Sequence, residues 1–208
     1  MITQNKATQD EITPEIALQF LKEGNRRFLT DTSIDRDYHY QIAQTADGQF
    51  PFAAILSCID SRIPTEIIFD KGIGDLFNAR IAGNLVNEDI LGSLEFACKI
   101  GGAKHILVLG HTSCGAIMGA CDMVEMGNLT GLLEKVKPAI SATPDADGND
   151  RSSANKSFVD AVARKNVELT IEQIKDNSPV LKEMLKKGGI GISGAMYRVE
   201  TGEVEFLD

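Results

Sequence analysis

Two short, nearly continuous apolar runs constrain the fold of this chain most: Phe52 to Leu56 and His105 to Leu109. A run of that length without polar alternation fits a strand buried on both faces, as in a parallel sheet. Leu76 to Ile81 reads as another strand. Gly189 to Tyr197 and Val204 to Leu207 read as closing strands, joined by a turn at Thr201-Gly202. Helical patterns fall between and around the strands. Thr13-Pro14-Glu15 is a helix start, with a hydroxyl cap, a proline in the first turn and an acid near the positive helix end. Ile16, Ala17, Phe20, Leu21, Phe28 and Leu29 then repeat at roughly helical spacing. Ile90, Leu91, Leu94, Ala97 and Cys98 share one helical face, ended by Gly101-Gly102. Residues 115–126 and 128–137 read as helices up to Pro138. Phe158, Val159, Val162, Leu169 and Ile174 mark a long amphipathic helix, and Val180 to Lys187 another. Strand and helix in alternation predict an α/β fold with a central, mostly parallel sheet flanked by helices.

At 208 residues the chain is read as one domain over 1–208. Residues 1–12 read as a polar arm, 31–50 as irregular and 141–157 as a surface loop. The formal net charge of -9 argues against nucleic acid or an anionic membrane as partner, since phosphate binding needs concentrated Lys and Arg. No stretch approaches the ~18 apolar residues of a membrane span. Met1 to Asp10 lacks an apolar signal core, so a cytoplasmic location is expected. In that reducing compartment the four cysteines, Cys58, Cys98, Cys114 and Cys121, are expected as free thiols or metal ligands.

Each of the two apolar runs ends in a cluster of reactive side chains. Cys58-Ile59-Asp60-Ser61-Arg62 follows the first, and His111-Thr112-Ser113-Cys114-Gly115 begins 53 residues after Cys58. Open α/β sheets place their ligands at the carboxyl ends of parallel strands. Two thiolates and an imidazole, from Cys58, Cys114 and His111, suit zinc. Three protein ligands leave a fourth tetrahedral position free, which distinguishes a catalytic from a structural zinc site. His111 and Cys114 are three residues apart at a strand mouth, where the positive end of the following helix would favour the Cys114 thiolate. Such a site is formally neutral, so it acidifies a bound water less than three histidines would. Asp60 can accept that water's hydrogen bond, and Arg62 can hold Asp60 with a forked hydrogen bond. Asp60 can also occupy the fourth metal position itself, and the residues alone leave both roles open.

Cys58-x-Asp60-Ser-Arg62 with Pro64, Gly74-Asp75-Leu76-Phe77, Arg80, Gly83-Asn84 and Gly110-His111-x-x-Cys114-Gly115 together resemble the β-class carbonic anhydrases. The similarity runs from about residue 15 to the closing Thr201-Gly202-Glu203-Val204. The resemblance implies zinc and the reversible hydration of carbon dioxide to bicarbonate and a proton, by attack of zinc-bound hydroxide. It implies Cys58, His111 and Cys114 as metal ligands, and Asp60 and Arg62 as the catalytic dyad. It also implies a homo-oligomer, dimer or tetramer, with the N-terminal helix around Ile16, Phe20, Leu21 and Phe28 packing on a partner chain. Gln49, Phe77, Phe96 and Gly115 match substrate-pocket positions. Phe96 replaces a tyrosine of plant-type members, so a hydroxyl is missing there.

Two further departures stand out. Some bacterial members hold an inhibitory bicarbonate with a tryptophan three residues before the first cysteine; here that residue is Ile55, which favours an open site. Ile81 replaces a polar asparagine common after the matching arginine. His39 is a candidate proton relay or a plain surface residue, and His105, Cys98 and Cys121 read as structural. The same scaffold would also serve hydrolysis of carbon disulfide or carbonyl sulfide, or a non-catalytic zinc or bicarbonate sensor. The intact Asp60 and Arg62 pair and Gln49 argue against the sensor.

Overall fold

The computed structural model describes residues 3–144 and 150–207. Its centre is a five-stranded sheet built from β1 (Ala53–Ser57), β2 (Leu76–Arg80), β3 (His105–His111), β4 (Gly191–Tyr197) and β5 (Val204–Leu207), in the order β2-β1-β3-β4-β5. The first four strands are parallel and β5 pairs antiparallel with β4. Every residue of β1 and β3 is buried. The two most apolar runs therefore take two of the three interior positions of the sheet, as their patterning predicts.

The helices in chain order are α1 (Lys6–Glu11), α2 (Pro14–Leu29), α3 (Tyr38–Thr45), α4 (Thr65–Ile68), α5 (Glu88–Glu95), α6 (Gly115–Cys121), α7 (Gly127–Glu134), α8 (Lys137–Ala142), α9 (Lys156–Asn177) and α10 (Pro179–Lys186). The Thr13 hydroxyl accepts from the Ile16 amide, so α2 starts where its capping residues place it. Ala17 and Leu21 on α2 are fully buried, and Phe20 meets Phe52 edge-on at 5.5 Å. That face covers the chain's own core, which leaves Ile16 and Leu29 as the larger apolar side chains of α2 exposed to solvent.

Three segments differ from their sequence reading. In the stretch read as a polar arm, Asn5 and Thr8 cap each other's backbone amides and start α1. Buried Gln9 then ties that helix down through hydrogen bonds from Nε2 to the Pro51 and Gly101 carbonyls, both 2.8 Å. Within 31–50, Asp37 caps α3, a helix that buries only Gln41 and so carries no apolar stripe to read. Pro138 does not end a helix; it stands in the first turn of α8, where its missing N–H costs nothing. Of the loop expected over 141–157, residues 145–149 lie outside the described residues. No helix among the described residues is long and apolar enough to cross a membrane.

Candidate metal centre

β1 and β3 run side by side with Ser57 opposite Leu109, so both release the chain at the same end of the sheet. Cys58 follows β1 directly. β3 ends at His111, and a tight turn through Thr112 and Ser113 brings Cys114 to the start of α6. Cys58, His111 and Cys114 are all buried, and one ligand atom from each lies within 4.8 Å of the others. Among the described residues, no other group of three such side chains comes together in this way.

The imidazole shows how the site is poised. His111 Nδ1 lies 2.9 Å from the Thr112 carbonyl oxygen, where only a protonated nitrogen can donate. That tautomer leaves a lone pair on Nε2, which is buried with no hydrogen-bond partner. An unpaired buried polar atom costs roughly 1–3 kcal/mol, and a metal ion at this point removes that cost. The thiols fit the same reading. The Cys114 thiol holds Cys58 down to about 4 against the opposing effect of burial, helped by His111 and by the Gly83 amide 3.4 Å from Cys58 Sγ. Cys114 is correspondingly pushed up, by Cys58 first and then by burial. A divalent cation binding both sulfurs would displace their protons. Two sulfurs and one nitrogen are a zinc-type donor set, so the residues present fit that metal.

Asp60 is turned away from this trio and toward Arg62. The Arg62 backbone amide and Nε each donate to Asp60 Oδ1 at 2.9 Å, and Nη2 donates to Oδ2 at 2.8 Å. Arg62 is the main reason the Asp60 carboxyl is held down to about 2. Arg80, at the end of β2, braces the loop from below by donating to the Cys58 carbonyl at 2.9 Å and the Asp60 carbonyl at 2.6 Å. Next to it, Ile81 is partly buried against the core.

A cavity of about 280 Å³ opens beside the trio, lined by Cys58, Ile59, Asp60, Ala82, Gly115, Ala116, Gly119, Leu129 and Leu133. Apart from the ligand thiol and the carboxylate, its walls are apolar or small. Gly115 lines this cavity at the start of α6. Gln49, Phe77 and Phe96 do not line this cavity within their own chain. Gln49 is exposed ahead of β1. Phe77 and Phe96 meet edge-on at 6.2 Å and line a separate groove of about 550 Å³ along β2 and α5. His39 is exposed on α3, and His105 is buried at the start of β3. Burial pushes the Cys98 thiol up to about 12, as expected of a packing residue.

Several contributors carried no sequence signal. Leu129 and Leu133 on α7 wall the cavity. Asn166 on α9 donates to the Gly83 carbonyl at 2.8 Å, steadying the glycine whose amide faces Cys58. Asp160, also on α9, accepts from the Ser113 amide at 3.0 Å. Each lies far in sequence from the residue it serves, so neither spacing nor composition points to it.

The family model described as carbonic anhydrase matches residues 53–204. Carbonic anhydrase 2 of Mycobacterium tuberculosis is 34% identical over 206 residues, covering 94% of this chain and 93% of its own. The β-carbonic anhydrase of Coccomyxa, solved in complex with acetazolamide, superposes with a TM-score of 0.72 at 25% identity over 91% of this chain and 86% of that one. The chain belongs to the β-carbonic anhydrase family. One of two tetrameric β-carbonic anhydrases from Sordaria macrospora is also similar, with a TM-score of 0.69 at 26% identity over 81% of this chain and 90% of that one. In this β-carbonic anhydrase the residue three before Cys58 is fully buried in β1: Ile55 is part of the core and offers no polar group to a ligand.

Proposed function

We propose that this chain hydrates carbon dioxide reversibly at a zinc ion held by Cys58, His111 and Cys114. The observation that carries the reading is the buried trio with an orphaned imidazole nitrogen, set beside a carboxylate that a guanidinium holds off the metal position. Bound zinc supplies the acidity that makes a water ligand nucleophilic near neutral pH. Asp60, ionised and oriented by Arg62, accepts that water's hydrogen bond and fixes the direction of its free lone pair. The apolar walls from Ala82, Ala116, Leu129 and Leu133 suit a small neutral substrate that binds mainly by dispersion. Gly115 lines the same space at the start of α6, where the helix end favours developing negative charge on a substrate oxygen.

We also infer that the working unit is a homo-oligomer in which a second copy completes the pocket. Gln49, Phe77 and Phe96 match pocket positions yet lie outside their own chain's cavity, and Phe96 is 53% exposed. A partner packed across β2 would carry these three residues toward the neighbour's metal. The tetrameric relative from Sordaria macrospora supports a homo-oligomer.

The test is metal analysis combined with stopped-flow carbon dioxide hydration on one sample. One zinc per chain with hydration activity is the expected result, and Cys114→Ser should lose most of both. Full zinc occupancy in Cys114→Ser would overturn the ligand assignment.

A further inference from the structure

The turn between the two β3-side ligands is held in an unfavourable backbone conformation. Ser113, between His111 and Cys114, has φ of 54°. A non-glycine residue in that left-handed region is strained, and it persists only where the surroundings hold it. Its peptide groups are gripped from both sides. The amide donates to Asp160 Oδ1 at 3.0 Å, and the carbonyl accepts from Arg62 Nη2 at 3.4 Å. Thr112 before it is tied separately to the β4–β5 connection. Its amide donates to the Tyr197 carbonyl at 3.0 Å, its hydroxyl donates to Glu200 at 2.9 Å, and that hydroxyl accepts from the Val199 amide at 3.1 Å. Neither set of Thr112 contacts reaches Ser113 itself.

Asp160 is thus the side chain that fixes the Ser113 amide. It projects from α9, a 22-residue helix packed along β3 and β4, and so ties the ligand turn to the sheet's covering helix. Among the described residues Asp160 forms no salt bridge, and the Ser113 amide is the hydrogen-bond donor recorded for it.

We infer that Asp160 is a positioning residue for the metal centre: it clamps Ser113 in the left-handed conformation, and thereby sets the separation of His111 and Cys114 and the carbonyl on which Arg62 rests. Asp160 touches neither metal nor substrate and acts through the turn. The inference rests on the zinc reading given above, but its test separates from that reading.

The test compares wild type, Asp160→Ala, Asp160→Asn and Asp160→Ala combined with Ser113→Gly, all zinc-loaded. Two readouts apply: the rate of zinc transfer to a chromogenic chelator, and the visible spectrum of the cobalt-substituted protein. Loss of a side chain that orients metal ligands costs roughly 10- to 100-fold in metal affinity, so Asp160→Ala should release zinc correspondingly faster and show altered cobalt bands. Asp160→Asn keeps an acceptor oxygen in the same place and should behave like wild type. Ser113→Gly removes the left-handed penalty, so the double variant should recover much of what Asp160→Ala loses. A general weakening of α9 would not be repaired by a glycine in a turn outside that helix. If Asp160→Ala does not fold, the double variant carries the test: it must fold and retain zinc. Asp160→Ala with wild-type release and an unchanged spectrum overturns the inference, as does a double variant that fails to improve on it. A wild-type protein that takes up no zinc or cobalt refutes the metal site instead.

Discussion

Arg62 grips both carboxylate oxygens of Asp60, through Nε at 2.9 Å and Nη2 at 2.8 Å. The backbone amide of Arg62 adds a third bond to the same carboxylate, so a loop of three residues encloses its own acid–guanidinium pair. Such a fork fixes direction as well as charge. With Arg62 half exposed, the pair contributes little to folding; on the proposed mechanism its value lies in keeping Asp60 ionised, oriented and off the metal.

Asp60→Asn should therefore keep zinc and fold normally while losing hydration activity by roughly 10²-fold or more, the usual scale for a proton-handling group. Arg62→Ala should lose activity on a similar scale by letting Asp60 turn. Stopped-flow assays with metal analysis measure both. Activity of Asp60→Asn within a few-fold of wild type near neutral pH would remove Asp60 from the mechanism.

The same pair predicts a site open at all ordinary pH values. Arg62 holds Asp60 down to about 2. The sign follows from that depression: the pairing is present above the unfolded value near 3.9 and is lost only as pH falls through about 2. Nothing in the window from pH 6.5 to 8.5 releases Asp60 from Arg62, and Ile55 supplies no polar partner for an inhibitory anion. Crystals grown at each end of that window should show Asp60 on Arg62. A carboxylate oxygen ~2.0–2.2 Å from zinc at the lower pH would disprove this.

What could be read from the sequence divides along physical lines. β1, β3 and their terminal clusters were legible because an unbroken apolar run has one natural home, the middle of a parallel sheet, and ligands gather where such strands end. The start of α2 was legible because Thr13 and Pro14 act locally. α1 and α3 were not, since their stability comes from capping by Asn5, Thr8 and Asp37 and from single buried glutamines. The site shows the same split. Cys58, His111 and Cys114 announce themselves by type and spacing, whereas Asp160 and Asn166 act through backbone groups distant in sequence. The placement of Phe77 and Phe96 away from the cavity was invisible for another reason: matching a motif fixes a residue's position along the chain, not which cavity of the folded chain it lines.

Gly24 lets α2 pack directly against the backbone at the end of α4. A β-carbon there would stand 1.8 Å from the Phe69 carbonyl oxygen, a backbone atom that cannot swing aside. Gly24→Ala should cost about 3 kcal/mol or more, the upper range for overpacking a filled core. Gly92 on α5 has nothing within 4 Å of the same position, so Gly92→Ala should be neutral or stabilise by about 0.4–1 kcal/mol. Urea unfolding of the two variants measures the contrast, and equal midpoints would show that α2 does not seat on Phe69 as described.

His105 gives the fold an acid sensitivity separate from the metal. It is 4% exposed at the start of β3, with Nε2 2.8 Å from the Ser193 hydroxyl and Nδ1 buried without a hydrogen-bond partner. Its ring also fills the space beside Gly191, where a β-carbon would lie 2.6 Å from Nδ1. Burial pushes its pKa down to about 4 from the ordinary 6.5, with the nearby Pro14 carbonyl first and then Glu15 partly opposing. Between those values the unfolded chain binds a proton that the folded chain refuses. Stability therefore rises with pH through this window and is lost as pH falls from about 6.5 toward 4, by about 3 kcal/mol at most for this one group. Zinc ligands also protonate on acidification, so the informative quantity is the difference between wild type and His105→Asn, which share that loss. Unfolding in urea at pH 7, 6 and 5 should show wild type losing its advantage over the variant step by step. Parallel curves for the two proteins would mean that His105 does not stay neutral in the folded state.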